Sequence, residues 1–248
     1  MKKYALIIAV LMMTAMSAKA QETEDDGGSP LTFDLGVITN DIWRGGNCAG
    51  LSFAGEAGFT AGGFSAGFAA VSAIGKDDYT ELDAYASYSI SGAFVSLTDY
   101  SWTQDRFEYF GPYKSYHYLE LGVGYDFSEK TDLPLSVSYN VMLAGVNQKA
   151  DGKQANASYI EICYAPSLAC GLDLAFTVGA AIEDKESASL MYTRKDGFNF
   201  AELKMEMSKT YNLKNFCTVT PSAAIICNPT GTGTHGEAYF VGGVSFGF

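Results

Sequence analysis

Three features of the sequence predict an all-β fold, a transmembrane antiparallel β-barrel of about twelve strands. Apolar residues recur at every second position along most of the chain, aromatic residues reach 14% beside 27 glycines, and the chain closes on an alternating run that ends in Phe248. A closed sheet satisfies its backbone polar groups between strands, so it can cross a bilayer with only alternate residues apolar.

Residues 1–20 begin with Lys2 and Lys3, continue through an apolar core from Tyr4 to Met16 and end in Ala18-Lys19-Ala20. The core is too short to span a bilayer, and this order predicts a cleavable secretory signal with the mature chain starting at Gln21. No cysteine at the cleavage point supports a lipoprotein. Residues 21–30 read as a short, acidic, mobile tail, and residues 31–248 as the barrel.

Period-two alternation places strands near 31–43, 50–60, 64–72, 80–90, 92–102, 116–127, 135–146, 155–165, 172–183, 198–210, 216–227 and 237–248. In the fourth, Leu82, Ala84, Ala86, Tyr88 and Ile90 oppose Glu81, Asp83, Tyr85, Ser87 and Ser89. Leu119, Leu121, Val123, Tyr125 and Phe127 alternate likewise with Tyr118, Glu120, Gly122, Gly124 and Asp126. Pro221 removes a ladder donor from the eleventh strand and predicts a bulge or kink there. Val37-Ile38 hints at another bulge in the first.

Connections alternate as they do in an outer-membrane barrel with both termini in the periplasm. Those around 60–63, 91, 128–134, 166–171 and 211–215 are short, and those around 44–49, 73–79, 103–115, 147–154, 184–197 and 228–236 are mostly longer. In the fifth long connection, Ser187 to Thr193 could itself be strand. Within the C-terminal strand, Phe240, Val244, Phe246 and Phe248 share one face, and the terminal Phe with an aromatic two residues earlier resembles the signal read by barrel-assembly machinery. A soluble β-sandwich is the competing fold, and the export signal argues against it.

Removing Lys2, Lys3 and Lys19 with the signal takes the formal charge from −12 to about −15, which excludes a nucleic-acid partner. The expected partners are outer-membrane lipid, lipopolysaccharide, the assembly machinery and small polar solutes or ions. Five cysteines remain, Cys48, Cys163, Cys170, Cys217 and Cys227. The odd count leaves at least one unpaired in a monomer, and if a disulfide forms Cys163 with Cys170 is the local candidate. No cysteine or histidine spacing suggests a metal, and no cofactor is implied.

If the apolar faces meet lipid, parity points Asp34, Glu56, Glu81, Asp83, Glu120, Asp126, Glu161, Asp173, Glu183, Glu202 and Glu206 inward, with Lys204 the one strand base among them. Burying an unpaired charge costs several kcal/mol. Either the lumen is wet or loop bases fold in to pair. Asp34, Glu56, Glu81, Asp83, Glu120, Glu161, Glu202, Lys204 and Glu206 are therefore candidate pore-lining residues, giving an acidic path that favours cations. A narrow barrel blocked by its own side chains is the alternative, and would serve surface recognition, adhesion or envelope structure instead.

Between Tyr100 and Tyr118 lie Trp102, Phe107, Tyr109, Phe110, Tyr113 and Tyr116 with Arg106 and Lys114. This segment either folds into the mouth or forms an interfacial aromatic girdle. Trp43, Arg44, Arg106, Tyr109 and Lys114 are the candidate external rim, with Trp43 an interfacial anchor and Arg44 either snorkelling or turned inward to a lumenal carboxylate.

Of the two histidines, His117 is followed by Leu119 where barrel phospholipases place a serine, and His235 lies in a Gly/Thr loop. No catalytic residue is identified, and an enzyme is not expected.

Gly36, Thr39, Asn40, Asp41, Trp43, Arg44 and Gly45 stand where the TorF-like porin family carries a Gly-x-x-Ser-x-Tyr-x-Trp/Phe-Arg-Gly opening. The chain resembles that family here, with Thr39-Asn40 and Ile42 departing from the pattern. A strand from Glu81 to Tyr85, another from Tyr118 to Glu120 and the final Phe extend the likeness across most of the mature chain. The resemblance implies a barrel of roughly a dozen strands and a porin role.

Overall fold

The computed structural model describes residues 30–75, 79–103, 109–184, 190, 193, 196–214, 216–231 and 238–248. The export signal, most of the acidic tail, Arg106, Phe107, His235 and most of Ser187 to Thr193 lie outside them.

β1 (Leu31–Ile38) is followed by a small hairpin, β2 (Asp41–Trp43) and β3 (Gly46–Ala49). Then come β4 (Ser52–Ala61), β5 (Phe64–Ala73), β6 (Thr80–Ile90), β7 (Ala93–Thr103), β8 (His117–Asp126), β9 (Leu135–Gly145), β10 (Ser158–Tyr164), β11 (Asp173–Glu183) and β12 (Gly197–Ser208). A short β13 (Tyr211–Leu213) leads into β14 (Cys217–Cys227) and β15 (Ala238–Gly247). Each long strand pairs antiparallel with its sequence neighbour, β12 pairs with β14, and β15 returns to β1, so twelve strands close into a barrel. Closure leaves no sheet edge, which is what lets such a sheet sit in hydrocarbon.

The alternation in the sequence becomes the two faces of the wall. Phe33, Leu35, Phe53, Phe68, Ile90, Phe198 and Phe240 are exposed on the outside, whereas Asp34, Asp83, Glu120, Glu161, Glu202, Lys204 and Glu206 are buried on the inside. The register is unbroken around most of the barrel. Bulges fall at Leu119/Glu120 opposite Met142 and Ala144, and at Gly179/Ala180 opposite Glu202 and Phe200, which leaves Leu143 and Ala201 as the extra residues.

Three local expectations need correction. The first strand does not run to residue 43. Thr39 closes two bonds with Gly242, its N–H donating to the carbonyl oxygen at 2.9 Å and its hydroxyl accepting from the Gly242 N–H at 3.0 Å, and the chain then leaves the wall. No bulge occurs at Val37-Ile38, where β1 stays in register with β4 and β15. Nor does Pro221 break its strand. It pairs in register with Val244, and the ladder between β12 and β14 already ends at Ser222, so the missing N–H falls just beyond that pairing.

The connections expected to be long emerge at one end of the barrel and those expected to be short at the other, although 74–79 at the first end is shorter than 127–134 and 165–172 at the second. Phe248 is at the short-turn end, its N–H donating to the Phe33 carbonyl at 2.9 Å. No disulfide joins any of the five cysteines, all of which are described, and Cys163 and Cys170 are therefore not bridged.

Candidate lumenal site

At the long-connection end, residues 41–49 fold inward instead of outward. Arg44 and Gly45 form the tip of the β2–β3 hairpin with φ of 50° and 79°, the paired positive values of the two-residue turn whose twist matches a hairpin. A side chain at Gly45 would run into the Ala201 carbonyl, so the tip seats against the bulge in β12.

The hairpin crosses the bore. Ile42 is 1% exposed and packs on Ala224 and Ile226 of β14, with Tyr239 and Val241 of β15 beside them. Trp43 packs on the far side with Tyr100, Met142, Ala157, Tyr159, Ala181 and Ala201. Its ring meets Tyr100 at 6.1 Å and Trp102 at 5.1 Å in edge-to-face contacts, and Trp102 meets Tyr118 at 4.4 Å. Burial of these rings gives the hairpin an apolar anchor of the kind that secures a protein core.

Arg44 is the polar counterpart of that anchor. Nη1 and Nη2 donate to Glu120 Oε2 and Oε1 at 2.7 and 2.8 Å, a two-pronged pair with both side chains buried. The guanidinium lies 4.6 Å from the Trp43 ring centroid and 4.3 Å from that of Tyr159. The Tyr100 hydroxyl donates to Glu120 at 3.0 Å. Fork geometry and two aromatic faces suit arginine and not lysine. Trp43 and Arg44 therefore do not form an interfacial rim. Chain departure at Thr39 moves them off the wall and into the lumen, where Arg44 meets one of the inward carboxylates.

Two further groups of inward side chains flank the hairpin. Glu81 accepts from the Tyr79 hydroxyl at 2.6 Å and Trp102 Nε1 at 2.5 Å, with Asp83 and Asp41 as buried neighbours. Farther round, Glu161 and Glu202 flank Gly179 across β10, β11 and β12. A side chain at Gly179 would collide with the Tyr159 ring, which fills its place and sends its hydroxyl to Glu202 at 3.3 Å. Lys204 Nζ sits 3.4 Å from Glu202 Oε1, with Glu206 one inward step away on the same strand. Toward the short turns, Asp34 neighbours Glu56, which accepts a hydrogen bond from the Tyr85 hydroxyl. Asp126, Asp173 and Glu183 also point inward and bond to Ser128, Ser167 and Thr193 respectively.

The aromatic segment from Tyr100 to Tyr118 divides between the two faces. Tyr100, Trp102 and Tyr118 are lumenal, while Tyr109 and Tyr113 cover an outward pair, Asp99 and His117. His117 Nδ1 lies 3.1 Å from Asp99 and Nε2 lies 2.7 Å from the Tyr109 carbonyl oxygen, and the Tyr113 ring stacks on the imidazole at 4.7 Å. Burial, then the hydrogen bond to Asp99, push the Tyr113 hydroxyl above its ordinary range and keep it a donor. With both ring nitrogens engaged and Leu119 two residues on, the histidine acts here as an anchor for the segment that follows β7. Lys114 is exposed in the helical turn Tyr113–Tyr116 beside it. Among the described residues, the first connection enters the bore, and Leu190 of the connection after β11 joins its cluster.

At the C-terminus, Phe240, Phe246 and Phe248 are exposed on the outer face, and Val244 faces outward between Val37 and Pro221.

No protein-family model and no curated protein matches the chain. Among solved structures, the chain is similar to the NanC porin, with a TM-score of 0.46 and 10% identity over 88% of this chain and 97% of that one. It is similar to the KdgM porin with a TM-score of 0.44 and 10% identity, over 88% and 99%. For the β domain of the Bordetella autotransporter BrkA the TM-score is 0.41 and the identity 13%, over 88% and 98%. At these values the likeness bears on neither family nor function.

Proposed function

We propose that the chain is an outer-membrane channel of a diderm bacterium, exported by the secretory route, through which small polar solutes diffuse with a preference for cations. The observation that carries this reading is the division of the wall: exposed Phe, Leu and Ile outside, and a surplus of carboxylates over Arg44 and Lys204 inside among the described residues. An apolar outer band suits lipid and lipopolysaccharide. Carboxylates facing a bore attract cations as acidic rings do in cation channels. Phe240, Val244, Phe246 and Phe248 serve recognition by the assembly machinery in this reading, and both termini lie in the periplasm.

The test is solute flux into vesicles. Refolded protein in liposomes passes small cations faster than anions of equal size, and passes small neutral solutes. A correctly folded, heat-modifiable barrel that leaves the vesicles sealed to all of them contradicts the channel and supports a closed barrel acting through its external connections.

A further inference from the structure

Resting on the channel reading, we infer that the β2–β3 hairpin is the constriction of the bore and that the Arg44–Glu120 pair is the clasp that keeps it there. Ile38 and Ser52 are directly paired between β1 and β4. A short turn would suffice to join them, yet residues 39–51 intervene and 41–49 of them enter the lumen. The inserted hairpin shares one packed cluster with inward residues of β14 and β15 and another with inward residues of β7, β9, β10, β11 and β12, meeting Tyr100, Trp102, Tyr159 and Glu120 directly, so it reaches from one side of the opening to the other. At its tip Arg44, 6% exposed, reaches Glu120 of β8 through two hydrogen bonds.

The register of the flanking strands does not depend on this hairpin, since β1 and β4 pair without a break up to Ile38 and Ser52. The hairpin therefore sets how wide the path is while the strands set that there is one. Arg44 also brings a second positive charge, besides Lys204, into a bore where carboxylates are in surplus, and pairs it with Glu120. Arg44 and Glu120 are positioning residues in this account. They hold the constriction and need not touch the solute.

Cys48, on β3 and packed against the Trp43 cluster, is a native reporter of the hairpin's place. With the other cysteines changed to serine, a charged thiol reagent is applied to the refolded full chain in lipid vesicles. Glu120→Gln is expected to speed Cys48 labelling by more than about tenfold, because labelling follows the population of the released hairpin. A second variant replaces residues 40–50 by Gly-Ser-Gly and is expected to show severalfold larger single-channel conductance than the parent. Band shift on heating verifies that each variant is folded, and the replacement variant keeps the inference testable if Glu120→Gln does not fold. Unchanged conductance in the replacement variant overturns the constriction and leaves the channel reading standing. Unchanged Cys48 labelling in folded Glu120→Gln overturns the clasp. A barrel silent both with and without the hairpin overturns the channel reading itself.

Discussion

Toward the long connections the bore is filled by Trp43, Tyr100, Trp102, Tyr118, Met142 and Tyr159 around a buried ion pair. Toward the short turns the same wall presents Ser87, Ser138, Thr177, Ser208, Thr220 and Ser245 with Asp34 and Glu56. The two ends share strands and register, so the backbone does not explain the difference. Side-chain size and the inserted hairpin do. One end is built as a protein core, whose parts lock one another, and the other as a more hydrophilic wall made mostly of small hydroxyl groups. A barrel of this kind can concentrate its specificity at one level and keep the rest of the bore permissive.

The largest effect that separates the ends is expected from Glu120→Ala, which leaves Arg44 buried without its partner and destabilises the barrel by about 3–5 kcal/mol. Urea unfolding in lipid vesicles, followed by the band shift on heating, measures it. Gly45→Ala forces a side chain at φ 79° against the Ala201 carbonyl and is expected to cost about 1–3 kcal/mol in the same assay. Tyr100→Phe removes only the hydroxyl that donates to Glu120, for about 1.5 kcal/mol. Ser96→Ala, at a small inward residue of the short-turn half, is expected to stay within about 0.5 kcal/mol. Were Ser96→Ala as damaging as Glu120→Ala, the distinction between a packed end and a permissive one would not hold.

Much of the wall was legible because it rests on a local signal. Period two survives in every long strand except where Leu143 and Ala201 interrupt β9 and β12, and parity alone assigned Glu81, Glu120, Glu161 and Glu206 to the inner face. The hairpin was harder to see because Asp41-Ile42-Trp43 continues the apolar texture of β1, and an inward fold is decided by distant residues such as Ile226, Met142 and Ala201. Gly45-Gly46 was the available hint, since paired glycines mark turns. A second hint was the excess of inward carboxylates over strand bases, which left open that a loop base folds in. Arg44 is that base. The bulges at Leu119/Glu120 and Gly179/Ala180 carried no sequence mark, because an extra Leu or Ala in a strand reads like any other.

The division of the described titratable groups remains the core of the functional account, and it concerns the sign of the ions that pass. The most direct test is the reversal potential of a single refolded barrel in a planar bilayer under a KCl gradient. The account predicts a reversal potential displaced toward potassium, and a smaller displacement in the Glu161→Gln/Glu206→Gln variant. A conducting barrel with chloride preference, or one whose selectivity ignores those two carboxylates, would contradict the acidic bore.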